Sequence, residues 1–417
     1  MKQKLLSSYI VVVSTSGTRY FSVSGFNGLS TATETVAALV PTAGNFRNLR
    51  VKLSAAPDPG SDGGYIITLR RGVGAGAIAN TAITVTIVGD NTTGSYTAGD
   101  LSVAADDKIA YSIVPTNTPT VAVVVDAIIE FEGTTANESI LLQATTALPT
   151  TATTRYHPWN CCAYNSVEAN LNSIIPCAGT ITAFYGRLSA APGNDDTRVC
   201  TIRINGVDQA ASVLSFGAAD VALNVTGLTL AVSAGDRVNF SMVEADIAAA
   251  ANGHFGAIFK PTTDGQFPII QATVNSTMTA GNTYYFLLAS SYDRATMEVN
   301  SNIADNDYTI ESVYGYLSVA SGAGQSVVIT PRKDVPGAPA DVNADFALTM
   351  TNTVGPSSDV YSFTPTQFTG YGTKVVLSAA AATTRLAVSY LGYVAAGGSI
   401  KVISETVRIV DGLGRRN

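Results

Sequence analysis

Leu53-Ser54-Ala55-Ala56-Pro57 and Leu188-Ser189-Ala190-Ala191-Pro192 are the same five residues, and Leu317-Ser318-Val319-Ala320-Ser321 is a degraded third copy. The three leucines stand 135 and then 129 residues apart. Recurrence at this period marks tandem copies of one domain. Proline cannot donate to a strand ladder, so Pro57 and Pro192 mark where the preceding strand ends. The stretch reads as a strand end and turn, written three times.

Other landmarks keep the same order around it. Each copy opens with an apolar run: Leu5 to Val13, Ile140-Leu141-Leu142, and Ile269-Ile270. An aromatic landmark follows as Arg19-Tyr20-Phe21, Arg155-Tyr156 and Tyr284-Tyr285-Phe286. Beyond the turn, Tyr65 to Gly72 matches Val199 to Gly206, with Val327 to Asp334 as the third version. Leu101 to Ile109 matches Leu230 to Val238, where copy three keeps only Thr373-Lys374-Val375-Val376. Each copy closes on an apolar strand: Val121 to Phe131, Phe255 to Phe259, and Arg385 to Val394.

The periodicity inside these landmarks is that of strands. In Thr201-Ile202-Arg203-Ile204-Asn205 the isoleucines alternate with polar residues, as a half-buried strand requires. Asn205-Gly206 between two such runs predicts a type I′ hairpin. Short strands with turn signals every 8–12 residues or so predict an all-β chain of three tandem antiparallel β-sandwich domains. Jelly-roll topology is the specific expectation, with an immunoglobulin-like sandwich as the alternative. Domain boundaries are predicted at residues 1–135, 136–264 and 265–396, with a C-terminal strand or tail over 397–417. The extra strand either pads its own domain or adds to a neighbouring chain's sheet edge. The polar linkers are short, which predicts domains standing in a row.

Composition narrows the function. Of 417 residues only 13% are charged and the net charge is −7, which argues against a nucleic-acid partner. Lys2 and Lys4 ahead of an apolar run mimic a signal peptide. That run falls where the other copies carry their opening strand, so synthesis in a cytoplasm without secretory export is expected. No other apolar run approaches the roughly 20 residues of a membrane helix, and no membrane partner is expected. All four cysteines, Cys161, Cys162, Cys177 and Cys200, lie in copy two, which argues against a shared disulfide framework.

Signals for chemistry are sparse, and no catalytic, cofactor or metal residue is assigned. The two histidines, His157 and His254, have no counterparts in other copies. A metal site would recruit His157 with Cys161 and Cys162, but paired C-x-x-C spacing is missing. The carboxylates Asp106-Asp107, Asp195-Asp196 and Asp305/Asp307 read first as solvated turns; calcium at Asp58/Asp62 or Asp305/Asp307 is the functional alternative. Gly72-Val73-Gly74-Ala75-Gly76 lacks the lysine of a phosphate loop. The aromatic landmarks read first as packing, although Tyr156 and Trp159 are the residues that would face a sugar ligand if a platform existed.

The module formed by Leu49 to Pro57 and Tyr185 to Gly193, the hairpin Cys200 to Val207, and Val232 to Val238 resembles repeats of virion-associated proteins of tailed bacteriophages. Copies one and two carry it; copy three loses the proline, the Asn-Gly hairpin and the Ala-Gly-Asp. The resemblance implies a non-enzymatic virion structural protein: a capsid decoration, head fibre or tail appendage on the virion exterior. Its partners would be other virion proteins and copies of itself. A carbohydrate-binding adhesin or receptor-binding fibre, with a host-surface glycan as ligand, is the alternative.

Overall fold

The structure is a computed structural model. It describes residues 2–394 except 26–29, 145–147, 149, 161–163, 194–195, 245–247, 272–277, 288–292, 295–301, 304–306, 334–339, 342–346, 353, 366, 368 and 383. The expected C-terminal strand over 397–417 therefore lies outside the described residues, as do Cys161, Cys162, Asp195 and Asp305.

Domain 1 contains β1 (Lys2–Val13), β2 (Arg19–Phe21), β3 (Ala38–Leu39), β4 (Gly44–Leu53), β5 (Gly64–Gly72), β6 (Ala79–Val88), β7 (Thr93–Tyr96), β8 (Leu101–Val103), β9 (Lys108–Thr116) and β10 (Val123–Gly133). Domain 2 contains β11 (Ser139–Ala144), β12 (Thr154–Pro158), β13 (Gly179–Leu188), β14 (Arg198–Ile204), β15 (Val207–Asp208), β16 (Leu214–Phe216), β17 (Ala222–Val232), β18 (Val238–Glu244) and β19 (Gly253–Pro261). Domain 3 contains β20 (Gln266–Gln271), β21 (Thr283–Leu287), β22 (Asp293–Arg294), β23 (Asn302–Ile303), β24 (Thr309–Leu317), β25 (Ser326–Lys333), β26 (Ala340–Asp341), β27 (Leu348–Thr351), β28 (Gly355–Phe363), β29 (Gly370–Leu377) and β30 (Leu386–Tyr393).

Each domain is a pair of antiparallel sheets with one strand order. The first sheets run β1-β10-β4-β7, β11-β19-β13-β17 and β20-β30-β24-β28. The second sheets are built on β2-β9-β5-β6, β12-β18-β14-β15 and β21-β29-β25-β26. Counting eight principal positions per domain, these orders are 1-8-3-6 and 2-7-4-5, the double Greek key of a jelly roll. The third strand of each first sheet also carries a register shift near its start, in β4, β13 and β24. A bulge kept at one place in three copies is part of the fold.

The recurring Leu-Ser has a physical cause. The leucine closes the third strand and is buried in its own domain core. The serine then pairs with the residue where the chain enters the last strand. Ser54 N–H donates to Val124 O at 3.0 Å, and Val124 N–H donates back to Ser54 Oγ at 2.9 Å. Ser189 and Asn252 repeat the exchange at 2.9 and 2.8 Å, and Ser318 and Arg385 at 3.0 and 3.0 Å. A short side-chain acceptor at this point replaces the ladder bond that the turn gives up. The Asn205-Gly206 hairpin also forms as expected, with φ of 53° and 85° and Ile204 opposite Val207.

The domains do not stand in a row; each packs against both others. The reason lies in the opening strands, which are apolar on both faces. Leu5 points into the core of domain 1, whereas Leu6, with Ile128 beside it, joins the core of domain 3. Leu141 points into domain 2, whereas Ile140 and Leu142 join the core of domain 1. Ile269 points into domain 3, whereas Ile270 and Leu391 join the core of domain 2. Each such side chain contributes about 1.5–3 kcal/mol on burial, an interaction that linker length does not reveal. The three contacts form a closed cycle.

Candidate functional site

The features unique to this arrangement are its three seams. In each, the outer face of one domain's first sheet meets the loops of another. Asp106, in the turn before β9, accepts from Arg187 near the end of β13, with Nε to Oδ1 at 3.0 Å and a second bond from Nη2. Arg237, before β18, donates to Tyr316 Oη at 3.1 Å, and its guanidinium sits 4.9 Å from the Tyr316 ring centre. Gln367, before β29, lies against the Arg50 guanidinium of β4, and with its amide turned so that the oxygen faces the donors it accepts from Arg50 Nε at 2.9 Å. Tyr316 stands on β24 where Arg187 stands on β13, one residue before the closing leucine. On β4 the contact falls instead at Arg50, three residues before Leu53, so the three seams join the same elements through different residues.

Polar pins supplement these contacts. Gln3 grips the backbone of Ile140 with both ends of its amide, donating to its carbonyl at 3.0 Å and accepting from its N–H at 2.8 Å. His254 Nδ1 lies 2.8 Å from Ala37 O, and Ser389 Oγ donates to Ile174 O at 2.6 Å. Both bonds join a loop of one domain to the last strand of the next. Asn160 Nδ2 donates to Ile270 O at 3.1 Å.

The seam between domains 3 and 1 is closed by a buried charge. Lys4 donates to Glu130 Oε2 of its own domain at 2.8 Å and to Asp307 Oδ2 of domain 3 at 2.6 Å. Arg47 Nε reaches the other oxygen of Glu130 at 2.8 Å. Burial pushes the Glu130 carboxyl up, but the charges of Lys4 and Lys2 and the hydrogen bonds from Lys4 and Arg47 outweigh it and leave it at about 2. Near Lys4, the three opening strands converge. Lys4 and Leu5, Ile140 and Leu141, and Pro268 and Ile269 line one narrow cavity, with Ser24, Trp159 and Asn160 at its side.

The sequence-selected candidates fall outside any common site. Trp159 is fully buried, with Phe240 and Phe184 rings 5.4 and 6.1 Å away, so it offers no face to a ligand. The expectation of a ligand-facing Trp159 is corrected on that ground: its neighbours fill the space a sugar would need. Tyr156 is partly buried, and the Arg203 guanidinium lies 5.3 Å from its ring centre. His157 is enclosed and stacks on Phe240 at 4.8 Å, with neither ring nitrogen hydrogen-bonded among the described residues. Burial, with the nearby Arg155 charge, lowers its imidazole to about 3.

The carboxylates are engaged in structure. Asp107 accepts from Arg71 Nε at 2.7 Å and from Ala104 N at 2.8 Å. Asp58 accepts from Thr120 Oγ1 at 2.6 Å and from Gly63 N at 3.0 Å, which ties its own loop to the one between β9 and β10. Asp62 accepts from Asn117 at 3.3 Å. Among the described residues no group of three or more His, Cys, Asp or Glu gathers as metal ligands. Burial pushes the thiols of Cys177 up to about 12 and of Cys200 higher still, which makes both poor nucleophiles. Sequence reasoning missed Lys4 and Gln3. The available signal was a lysine within a strand whose counterparts, Ile140 and Pro268, are uncharged.

No protein-family model matches the chain, and no curated protein matches it. The fold and seams define a class, a tandem triple jelly roll closed on itself.

Proposed function

We propose that this chain is a non-enzymatic structural protein of a virion exterior, acting through contacts with other virion proteins and with further copies of itself. Capsid decoration, head fibre and tail appendage are the forms that reading takes. The observation that carries it is the repetition. Three domains of one strand order close into a cycle of contacts, as the repeated units of a building block do. The engaged carboxylates and the buried His157 agree with it, since catalysis would need such groups free at a cleft. The sequence resemblance supplies the virion as the setting.

Quantitative mass spectrometry of purified particles tests the reading. Stoichiometric copies are expected, and trace amounts would refute it. Of the two aromatics that the glycan-binding alternative would use, Trp159 is enclosed and Tyr156 is partly exposed. A glycan array showing specific binding abolished by Tyr156→Ala would favour that alternative.

A further inference from the structure

One pair of side chains recurs in all three domains outside the main cores. On the outer face of each second sheet an arginine lies over a tyrosine: Arg70 over Tyr20, Arg203 over Tyr156, and Arg332 over Tyr285. The guanidinium stands 4.8, 5.3 and 5.9 Å from the ring centre. The register is the same each time. The tyrosine pairs with Ser112, Ser241 or Lys374 on the adjoining strand, and that residue pairs with Thr68, Thr201 or Thr330. The arginine follows that threonine by two residues, on the same face of the sheet. Both members of the pair are half-buried in every copy.

The segment after each tyrosine forms a strap. It turns back on the tyrosine through an antiparallel bridge: Tyr20 with Ser30, Tyr156 with Asn165, and Tyr285 with Arg294. In domains 1 and 2 a 3-10 helix comes next, Thr33–Thr35 and Glu168–Asn170. The arginine grips that helix: Arg70 Nη1 donates to Thr33 Oγ1, and Arg203 Nε donates to Glu168 Oε1 at 2.9 Å. The straps then run into the seams. Ala37 O meets His254 Nδ1 at 2.8 Å, Ile174 O meets Ser389 Oγ at 2.6 Å, and Asp307 Oδ2 meets Lys4 Nζ at 2.6 Å. Where the first strap ends in β3, Gly256 of β19 has no room for a Cβ beneath Leu39 O. Ile174 of the second strap packs with Tyr316 and Ala387 of domain 3.

We propose that each arginine–tyrosine pair is a clasp that positions its strap, so that closure of the seams depends on Arg70, Arg203 and Arg332. The bonds of Arg70 and Arg203 lie within their own domains, which makes these positioning residues and not seam contacts. Fixing a segment of backbone costs conformational entropy for every residue ordered. A strap already clasped has lost that freedom, and its seam forms at little further cost. Arginine suits the task because its planar fork stacks on a ring and donates along its edges together. Besides the strap, Arg70 Nη2 donates to Ile78 O at 2.6 Å and Arg203 Nη2 donates to Gly206 O. Each guanidinium thereby joins the loop after its own strand to the strap.

The chain's two histidines make the test specific. His254 is buried against domain 1 in the first seam, and His157 is buried in the core of domain 2. In the full chain carrying Arg70→Met, diethyl pyrocarbonate should modify His254 about tenfold faster or more, because the seam opens locally more often. Mass spectrometry should find His157 still unmodified, and hydrogen exchange should find the amides of β5 and β9 as protected as before. Unchanged reactivity of His254 overturns the clasp. Faster reaction together with lost protection in β5 and β9 also overturns it, since the pair then supports only its own sheet. If Arg70→Met does not fold, Arg70→Lys takes its place and is judged by the same outcomes, because it keeps charge and stem but loses the fork. Arg203→Met serves another seam and should leave His254 as protected as in the unaltered chain; an equal acceleration there overturns the assignment of each clasp to its own seam. These readouts use the purified chain alone, so a failed clasp leaves the virion role standing.

Discussion

The Leu-Ser turns and the seam contacts are both present three times, yet they have diverged to different degrees. At the turns, Ser54, Ser189 and Ser318 make the same pair of hydrogen bonds with lengths agreeing to 0.2 Å. At the seams, Asp106 with Arg187, Arg237 with Tyr316, and Gln367 with Arg50 join the same pair of elements through different positions and with unrelated chemistry. The turn serves backbone groups, which are the same in every copy, so a short hydroxyl acceptor is kept. The seam joins two side chains that always meet the same partner, because fusion fixes which domain lies beside which. Each seam is therefore free to adopt its own chemistry, and a seam unlike the others also rejects the wrong neighbour.

The largest expected effect is at Lys4. Lys4→Met removes one partner of the buried Glu130 and opens the contact with Asp307. Breaking a buried pair on one side costs about 3–5 kcal/mol, and denaturant unfolding should show domain 3 separating as its own transition. A small loss with a single unchanged transition would mean that seams are as interchangeable as they look by geometry.

Acid titration comes next. The folded chain holds His157 neutral down to about 3, while an unfolded histidine protonates below about 6.5. The unfolded state then binds the extra proton, so stability should fall by about 1.4 kcal/mol per pH unit as pH drops below that value. Glu130, held at about 2, contributes stability that is present above the ordinary carboxyl value and lost as pH falls toward 2. His157→Phe should remove its share of the slope between about pH 6.5 and 4.5 without lowering stability at neutral pH, since the ring already stacks on Phe240. An unchanged slope would show that the imidazole is not held neutral.

The smaller effects separate turn from seam. Ser54→Ala, Ser189→Ala and Ser318→Ala should each cost about 1 kcal/mol by chemical denaturation, with the three values close together. Widely different values would deny the turns their equivalence. Asp106→Asn should cost less, under about 1 kcal/mol and diminishing with salt, because Asp106 remains 34% exposed. A loss above that of the serine changes would reverse the ranking of the two regions.

Much of this was legible beforehand because it is local. The Leu-Ser-Ala-Ala-Pro period announced three domains, and alternation in residues 201–205 with Asn205-Gly206 announced a hairpin. The double apolar face of Leu5-Leu6, Leu141-Leu142 and Ile269-Ile270 was visible too, but an apolar run alone does not say what covers its second face. The candidate Trp159 went astray for a related reason. An aromatic at a loop reads alike whether it faces water or Phe184 and Phe240.

The sequence by itself determined the all-β class, the threefold repetition, the strand ends and the turn chemistry, since each depends on neighbours a few residues away. Only the tertiary structure decided that the domains close into a ring, that Lys4 meets Asp307 across 303 positions, and that Trp159 is core. Those outcomes depend on which surfaces meet after folding, and the free energy of that choice is spread over residues that no local pattern connects.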